Sequence, residues 1–292
     1  MATPRTFIDL HTHSLASDGT DRPSELVRKA DEAGLAALAL TDHDSLDGLE
    51  EAGQEAGRLG IRFVPGIEIA VRDEPGELHL VGLWMREPSP HMRQALRTLQ
   101  QNRRARNQAM LEELARLGLP MSMEEVRAHS GGGAIGRPHI ALSMKHKGYV
   151  NSRREAFERY IGLQGQAFVP RVLMSPQEGI SLLRNEGATV VLAHPCLSRA
   201  MTRQRLDALL SEFTSYGLNA IEAYHSTHAP DQTRLCVDLA AKHGLLLSGG
   251  TDYHGLNKEG IILGRGLAGN VRVPLYVLEK LEASRREQGL WV

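Results

Sequence analysis

Cysteine is nearly absent from this chain, with only Cys196 and Cys236 among 292 residues. A disulfide framework is excluded as the source of stability, and a chain of this length buries an adequate core without one. Aromatic residues are also scarce, at 4%, which argues against an extended stacking surface for single-stranded nucleic acid. No apolar run approaches the roughly 18–20 residues that cross a bilayer. Nor does an apolar stretch of signal-peptide type follow the opening Met1-Ala2-Thr3-Pro4-Arg5-Thr6. Net charge is only −1, which disfavours a long polyanion as ligand. These absences predict a globular cytoplasmic protein with reduced thiols, no membrane contact and no evident obligate protein partner.

The near-neutral total hides an uneven distribution. Between Arg93 and Arg171 there are 14 Lys/Arg against 6 Asp/Glu, whereas the remainder carries 20 against 29. A basic segment beside an acidic body suggests an anionic substrate held between them. The plainer alternative is a solvated helical surface that favours arginine.

Short apolar runs alternate with helical patterns, as in parallel strands joined by crossover helices. Strands are expected at Phe7–Leu10, Leu35–Leu40, Arg62–Pro65, Glu68–Val71 and Leu78–Trp84. The Pro65-Gly66 pair should break the third from the fourth, and a turn is expected at Glu74-Pro75-Gly76-Glu77. Helices fit Pro23–Gly34 and Ser45–Gly60. From Met92 to Ile161 the pattern is helical throughout: Met92–Leu117, Met123–Ser130, Arg137–Lys147 and Arg153–Tyr160. Strands resume at Ala188–Ala193, Ala220–Ala223 and Leu245–Ser248, with helices at Arg203–Tyr216, Pro230–His243 and Pro274–Gln288. The expected organisation is an α/β barrel of residues 1–91 and 171–292, interrupted by an all-α cap of residues 92–170. Gly131-Gly132-Gly133 lacks the strand and Lys-Ser/Thr of a phosphate loop, so it reads as a joint within the cap.

Nine metal-capable side chains are expected at the C-terminal ends of successive strands or in the loops just after them: His11, His13, Asp18, His43, Glu68, His79, His194, Asp252 and His254. His11 and His13 are two residues apart, so an extended backbone presents both to one face. Imidazoles and carboxylates hold divalent transition metals, and nine exceed the needs of one ion. One grouping places His11, His13, Asp252 and one Glu68 oxygen on a first ion. The other Glu68 oxygen, His79 and His194 then serve a second, leaving Asp18, His43 and His254 for a third. Spacing alone leaves this grouping open.

The phrases Asp-Leu-His-Thr-His-Ser, Ser-Asp-Gly-Thr, Leu-Thr-Asp-His-Asp, Gly-Ile-Glu, His-Leu-Val-Gly, Ala-His-Pro and Ser-Gly-Gly-Thr-Asp-Tyr-His run in order from Phe7 to about Gly255. This set resembles the polymerase-and-histidinol-phosphatase (PHP) family. The resemblance implies a distorted (β/α)7 barrel, amidohydrolase-like, that holds two or three Mn, Fe or Zn ions grouped as above. Within the family the chain is similar to a branch with a helical insertion. That branch includes 3′,5′-nucleotide bisphosphate phosphatases and a 5′-to-3′ exoribonuclease on short RNA. Gly136–Ala141 (Gly-Arg-Pro-His-Ile-Ala) and Ile221–His228 are similar to two motifs of the branch, which implies phosphate contacts for Arg137 and His228. Gln166 departs from it, standing where a lysine is common. Arg171, Lys145 and Lys147 are the nearby cations that would compensate.

The implied reaction is hydrolysis of a phosphate ester of a nucleotide or short oligonucleotide by a metal-activated hydroxide. Asp252 would take the nucleophile's proton, and His228 or His254 would protonate the leaving oxygen. The alternatives are a 5′-to-3′ exoribonuclease, a histidinol-phosphate-type phosphatase, and a non-catalytic metal-binding module. The intact ligand set argues against the last. Tyr149, Phe157, Tyr160 and Phe168 lie in or beside the cap at spacings that suit helix packing better than base stacking. Cys196, two residues from His194, reads as an ordinary thiol.

Overall fold

In the computed structural model, residues 5–73, 76–130, 133–197 and 201–292 are described. The turn expected at Glu74-Pro75 and the joint expected at Gly131-Gly132 lie outside these residues. Seven strands carry the barrel: β1 (Phe7–Asp9), β2 (Ala37–Leu40), β3 (Arg62–Asp73), β4 (Gly76–Leu83), β5 (Thr189–Ala193), β6 (Ala220–His225) and β7 (Leu246–Gly250). A small hairpin of β8 (Ile261–Ile262) and β9 (Gly266–Leu267) follows, and β10 (Val273–Pro274) pairs antiparallel with β1. The sheet order is β10-β1-β2-β3-β4-β5-β6-β7. The barrel closes where Leu10 N–H, just after β1, donates to Gly249 O of β7 at 3.1 Å. A Cβ on Gly250 would lie 2.4 Å from His11 N, so only glycine lets β7 come this close to the segment that follows β1.

Two expectations about the strands need correction. Pro65-Gly66 does not break the chain into two strands, because β3 runs through it and changes partner there. Residues 62–65 pair parallel with β2, and Gly66 begins the antiparallel ladder to β4. Proline costs no ladder bond at such a switch point, and its carbonyl accepts from Met85 N–H at 2.8 Å. The sheet is also not all parallel, since β4 runs antiparallel to both β3 and β5. Consequently Glu68 and His79 do not sit at C-terminal strand ends. Reversal of β4 brings His79, near its start, to the same rim as the C-terminal end of β5, where it pairs with Ala193 beside His194.

Helices α1 (Pro23–Glu32) and α2 (Leu49–Leu59) cover β1–β3, packing Leu26, Val27, Ala30, Ala52 and Ala56 against Leu38 and Leu40. Helix α3 (Pro90–Arg116) opens the helical segment, capped by the Ser89 hydroxyl, and α4 (Met123–Arg127), α5 (Arg137–His146) and α6 (Arg153–Ala156) continue it. Helix α6 runs into a π-helical turn at Phe157–Ile161, where one continuous helix is expected from sequence. Met110, Leu114, Val126, Ile140, Met144, Tyr160 and Ile161 form a core of their own here. Tyr149 and Phe157 pack against it, as their spacing predicts. Helix α7 (Pro176–Asn185) is additional to the sequence reading, while α8 (Arg203–Tyr216), α9 (Pro230–His243) and α10 (Leu275–Glu287) fall where expected. No helix among the described residues is long and apolar enough to cross a membrane. Cys196 and Cys236 are free and buried, with their sulfurs 3.8 Å apart.

Candidate metal centre

All nine side chains singled out from the sequence converge on one rim of the barrel. Four overlapping groups there have ligand atoms within 4.8 Å of one another: His11–His13–Asp252, His11–Glu68–His194, His43–Glu68–His79 and His13–Asp18–His43–His254. Glu68 is the hub. Its Oε1 lies 2.8 Å from His79 Nδ1, 2.9 Å from His194 Nε2 and 3.5 Å from His11 Nε2. Its Oε2 lies 2.9 Å from His43 Nδ1 and 3.3 Å from His13 Nε2. Asp252 Oδ1 is 3.4 Å from both His13 Nε2 and His254 Nδ1. Asp18 Oδ1 is 3.2 Å from His254 Nε2. The grouping of Asp18, His43 and His254 gains His13 as a fourth member.

The chain also bends at this rim to aim the groups. Asp44, His194 and Asp252 all hold positive φ, at 53°, 28° and 54°, a region that side chains other than glycine rarely enter. Such strain persists only where surrounding structure fixes it, and three instances beside the ligands mark a functional rim. Asp9 pins the same region from behind: its Oδ2 accepts from the Thr251 hydroxyl at 2.6 Å and Gly264 N–H at 2.9 Å.

Burial and mutual proximity set the protonation pattern. Burial disfavours the charged ring of His13, but Asp252 and Glu68 outweigh it and raise its pKa to about 9. Burial prevails at His43 and His194, bringing each down to about 4 despite Glu68. Glu68 and Asp18 are held well below the usual carboxylate range by neighbouring imidazoles, although burial opposes this. His11 Nε2, His13 Nε2, His43 Nδ1 and Glu68 Oε2 are buried, and the three ring nitrogens face the Glu68 carboxylate across 2.9–3.5 Å, yet none of the four atoms makes a well-aligned hydrogen bond among the described residues. Such orphaned lone-pair atoms are costly unless they bind something, and divalent cations are what this donor set fits.

Sequence reasoning missed two members. Glu222, 2% exposed in β6, accepts from His11 Nδ1 at 3.0 Å and from His194 N–H at 2.7 Å. That contact places the proton on Nδ1 and leaves Nε2 facing the cluster. His225 Nε2 stands 3.3 Å from Asp252 Oδ2. The readable signal for Glu222 was a carboxylate inside an otherwise apolar strand. His228 lies beyond, its ring 5.3 Å from that of His225. Its Nδ1 donates to Ala223 O at 3.0 Å, burial lowers its pKa, and its Nε2 has no partner among the described residues.

Two cavities flank the cluster. One, of about 370 Å³, is bounded by His79, His194, Arg106, Arg137, Arg171 and Phe168. The other, of about 810 Å³, reaches His43 past Arg103, Arg104 and Arg127. Arg137 donates to Glu77 at 2.7 Å. Burial opposes ionisation of Glu77, but Arg137 and its neighbours bring the pKa down to about 2. Gln166 and Lys145 are exposed, and the exposed Lys147 is committed to Glu125. Among the compensating cations expected from sequence, only Arg171 borders a cavity.

The depressed Glu77 carboxyl gives a pH signature. Stability from its pairing is full above the unfolded value of 4.5 and is lost as pH falls through the folded value of about 2. Glu77→Gln should therefore flatten the decline of Tm between pH 5 and 2. Thermal melts across that range check it, and parallel wild-type and variant curves would contradict the assignment.

Comparison with known proteins settles the family. The PHP domain model matches residues 9–168. The chain belongs to the PHP domain family. Over 248 residues this PHP protein is 31% identical to the 5′-3′ exoribonuclease Rnm of Escherichia coli (strain K12), covering 84% of each chain. It is also 31% identical over 254 residues to the 3′,5′-nucleoside bisphosphate phosphatase of Chromobacterium violaceum, covering 87% of this chain and 89% of the relative. A solved amidohydrolase structure from Chromobacterium violaceum, with bound sulfate and no metal, superposes with TM-score 0.83 at 29% identity. That match covers 94% of this chain and 96% of the other. The barrel and its helical segment are thus shared with a solved amidohydrolase along nearly their full length.

Proposed function

We propose that this protein is a metal-dependent phosphoesterase that removes a phosphate from a nucleotide, in the manner of a 3′,5′-nucleotide bisphosphate phosphatase, with residues 92–170 as a substrate-covering cap. Arg106 carries the reading. It is 6% exposed, its Nε has no partner among the described residues, and it borders the 370 Å³ cavity that opens onto His79 and His194. Burial and the nearby guanidiniums of Arg137, Arg103 and Arg171 bring its pKa down to about 9, against the pull of Glu77. A cluster of buried cations in excess of its carboxylates is stabilised by an anion, and phosphate is the one the adjoining metal-capable groups also bind.

Two or three divalent cations would be held by His11, His13, Glu68, His79, His194 and Asp252, and by Asp18, His43 and His254. Bound there, they supply Lewis acidity toward water and the phosphoryl oxygens. Arg137 and Arg106 orient the phosphate and offset its charge as the P–O bond breaks. Asp252 accepts the proton released by the attacking water. His228, whose Nε2 has no partner among the described residues, gives a proton to the leaving oxygen, or His254 does so where it is withdrawn from a third cation. Manganese, iron and zinc all suit these ligands, and a cytoplasmic setting suits the free thiols.

A second reading, cleavage of short RNA from its 5′ end, is favoured by the 810 Å³ cavity beyond His43. Its Arg104 and Arg127 have no ion-pair partner among the described residues. The deciding experiment offers Mn-loaded protein a 3′,5′-bisphosphonucleotide, a 5′-phosphorylated dinucleotide and histidinol phosphate. Phosphate release should be fastest from the first. Preferential cleavage of the dinucleotide favours the RNA reading, and turnover of none of the three overturns the phosphoesterase reading.

A further inference from the structure

The chain leaves the barrel along α3 and returns through residues 169–175, and the two crossings meet at one carboxylate. Asp44 Oδ2 accepts from Arg103 Nε at 3.0 Å and Nη2 at 2.8 Å, and from Arg171 Nη2 at 2.6 Å. The Asp44 carbonyl accepts from Gln100 Nε2 at 2.9 Å, and its N–H donates to Glu68 O at 2.9 Å. Arg171 Nη2 also donates to Leu99 O at 3.0 Å, which ties the return segment to α3. Asp44 is fully buried and directly follows the ligand His43.

The two guanidiniums face different ways from this anchor. Arg103 borders the 810 Å³ cavity with His43, whereas Arg171 borders the 370 Å³ cavity with His79 and His194. Arg171 is 2% exposed in its side chain, and its Nε has no partner among the described residues. Two like charges this close separate unless an anion lies between them. The Asp44 carboxyl, lowered to about 2 by Arg103 and Arg171 against the cost of burial, supplies that anion.

We propose that Asp44 is a positioning residue for substrate phosphate: its single carboxylate closes the helical segment onto the barrel and holds Arg103 and Arg171 toward the cavities on either side of His43. It does not touch substrate itself and acts through the arginines. This assignment rests on the phosphoesterase reading for its substrate, but its test does not depend on turnover.

The test measures inorganic phosphate binding by calorimetry on Mn-loaded Asp44→Asn, Arg171→Gln and the double variant. It also measures KM and kcat for the bisphosphonucleotide, bound metal and Tm. Each single change should weaken phosphate binding and raise KM by about tenfold, the scale of one charge-assisted hydrogen bond. Metal content should stay at the wild-type level and kcat should change little. The double variant should be weaker than Arg171→Gln alone only by the share that Asp44 exerts through Arg103, well short of the product of the two single effects, because both changes disable the Arg171 contact. Effects that multiply to about a hundredfold overturn the proposal, as does unchanged phosphate affinity in Asp44→Asn. Loss of metal with unchanged KM would also overturn it, assigning Asp44 to His43 alone. Should Asp44→Asn fail to fold, Asp44→Glu, which keeps the charge but displaces the carboxylate from both guanidiniums, takes its place in the same cycle with Arg171→Gln. A wild-type protein that binds phosphate but hydrolyses no ester sinks the proposed reaction and leaves this cycle interpretable.

Discussion

Glu68→Gln should abolish phosphoester hydrolysis, with a loss of roughly 10³-fold or more, and should reduce the metal bound per chain. One carboxylate faces five imidazoles: Oε1 toward His11, His79 and His194, Oε2 toward His13 and His43. Glutamine keeps the volume, so the fold should survive, but it presents one oxygen and one N–H₂ group where two anionic oxygens stand. The amide nitrogen donates, so it cannot share a cation with the rings on its side. Losing the negative charge would also remove what would offset the repulsion between cations bound on either side of it. Metal analysis beside an assay in excess Mn provides the check. Activity within tenfold of wild type, with full metal, would show that Glu68 is not the bridge.

The candidate metal ligands were legible because each constrains local sequence as well as space. His11-x-His13 works only on an extended segment, and the other phrases bring their own turn residues. The barrel was legible for a similar reason, since short apolar runs separated by helical periods admit few arrangements. The direction of β4 was less legible. An apolar run reads the same forwards or backwards, so nothing in Gly76–Leu83 announces an antiparallel strand. Helix α7 carries the Ser175-x-x-Glu178 capping box that would have revealed it, and both halves of that box are formed.

Charge in the helical segment was legible as a sum and illegible as a pattern. Arg154 and Arg159 pair with Glu158 and Glu155 on the surface, and Arg116 with Glu113. Arg103, Arg106, Arg137 and Arg171 face the cluster instead. Helix periodicity alone does not separate these sets. Arg103 and Arg106 lie one turn apart on α3 and so share a face. Arg171 sits outside any helix and meets them only through the return of the chain.

Glu222→Gln should produce a different phenotype from Glu68→Gln, and the contrast locates the two carboxylates. Glu222 touches His11 Nδ1 and His194 N–H, on the side of each residue away from the cluster. It therefore orients ligands without supplying one. Burial opposes its ionisation, yet His11 and the neighbouring imidazoles bring it down to about 2, so it stands as a carboxylate at neutral pH. As an anion it holds the His11 proton on Nδ1 and increases the donor strength of Nε2. Glutamine can accept the same hydrogen bond but adds no charge, and it brings an N–H₂ group with no acceptor waiting. Partners of this kind typically contribute 10–100-fold in metal affinity. Metal affinity should fall by about that factor, with activity at limiting Mn falling in parallel. Saturating Mn should restore most of kcat in Glu222→Gln and little in Glu68→Gln. A metal titration of activity for both variants decides it. If excess metal fails to rescue Glu222→Gln, that carboxylate acts in the reaction itself and the centre extends to β6.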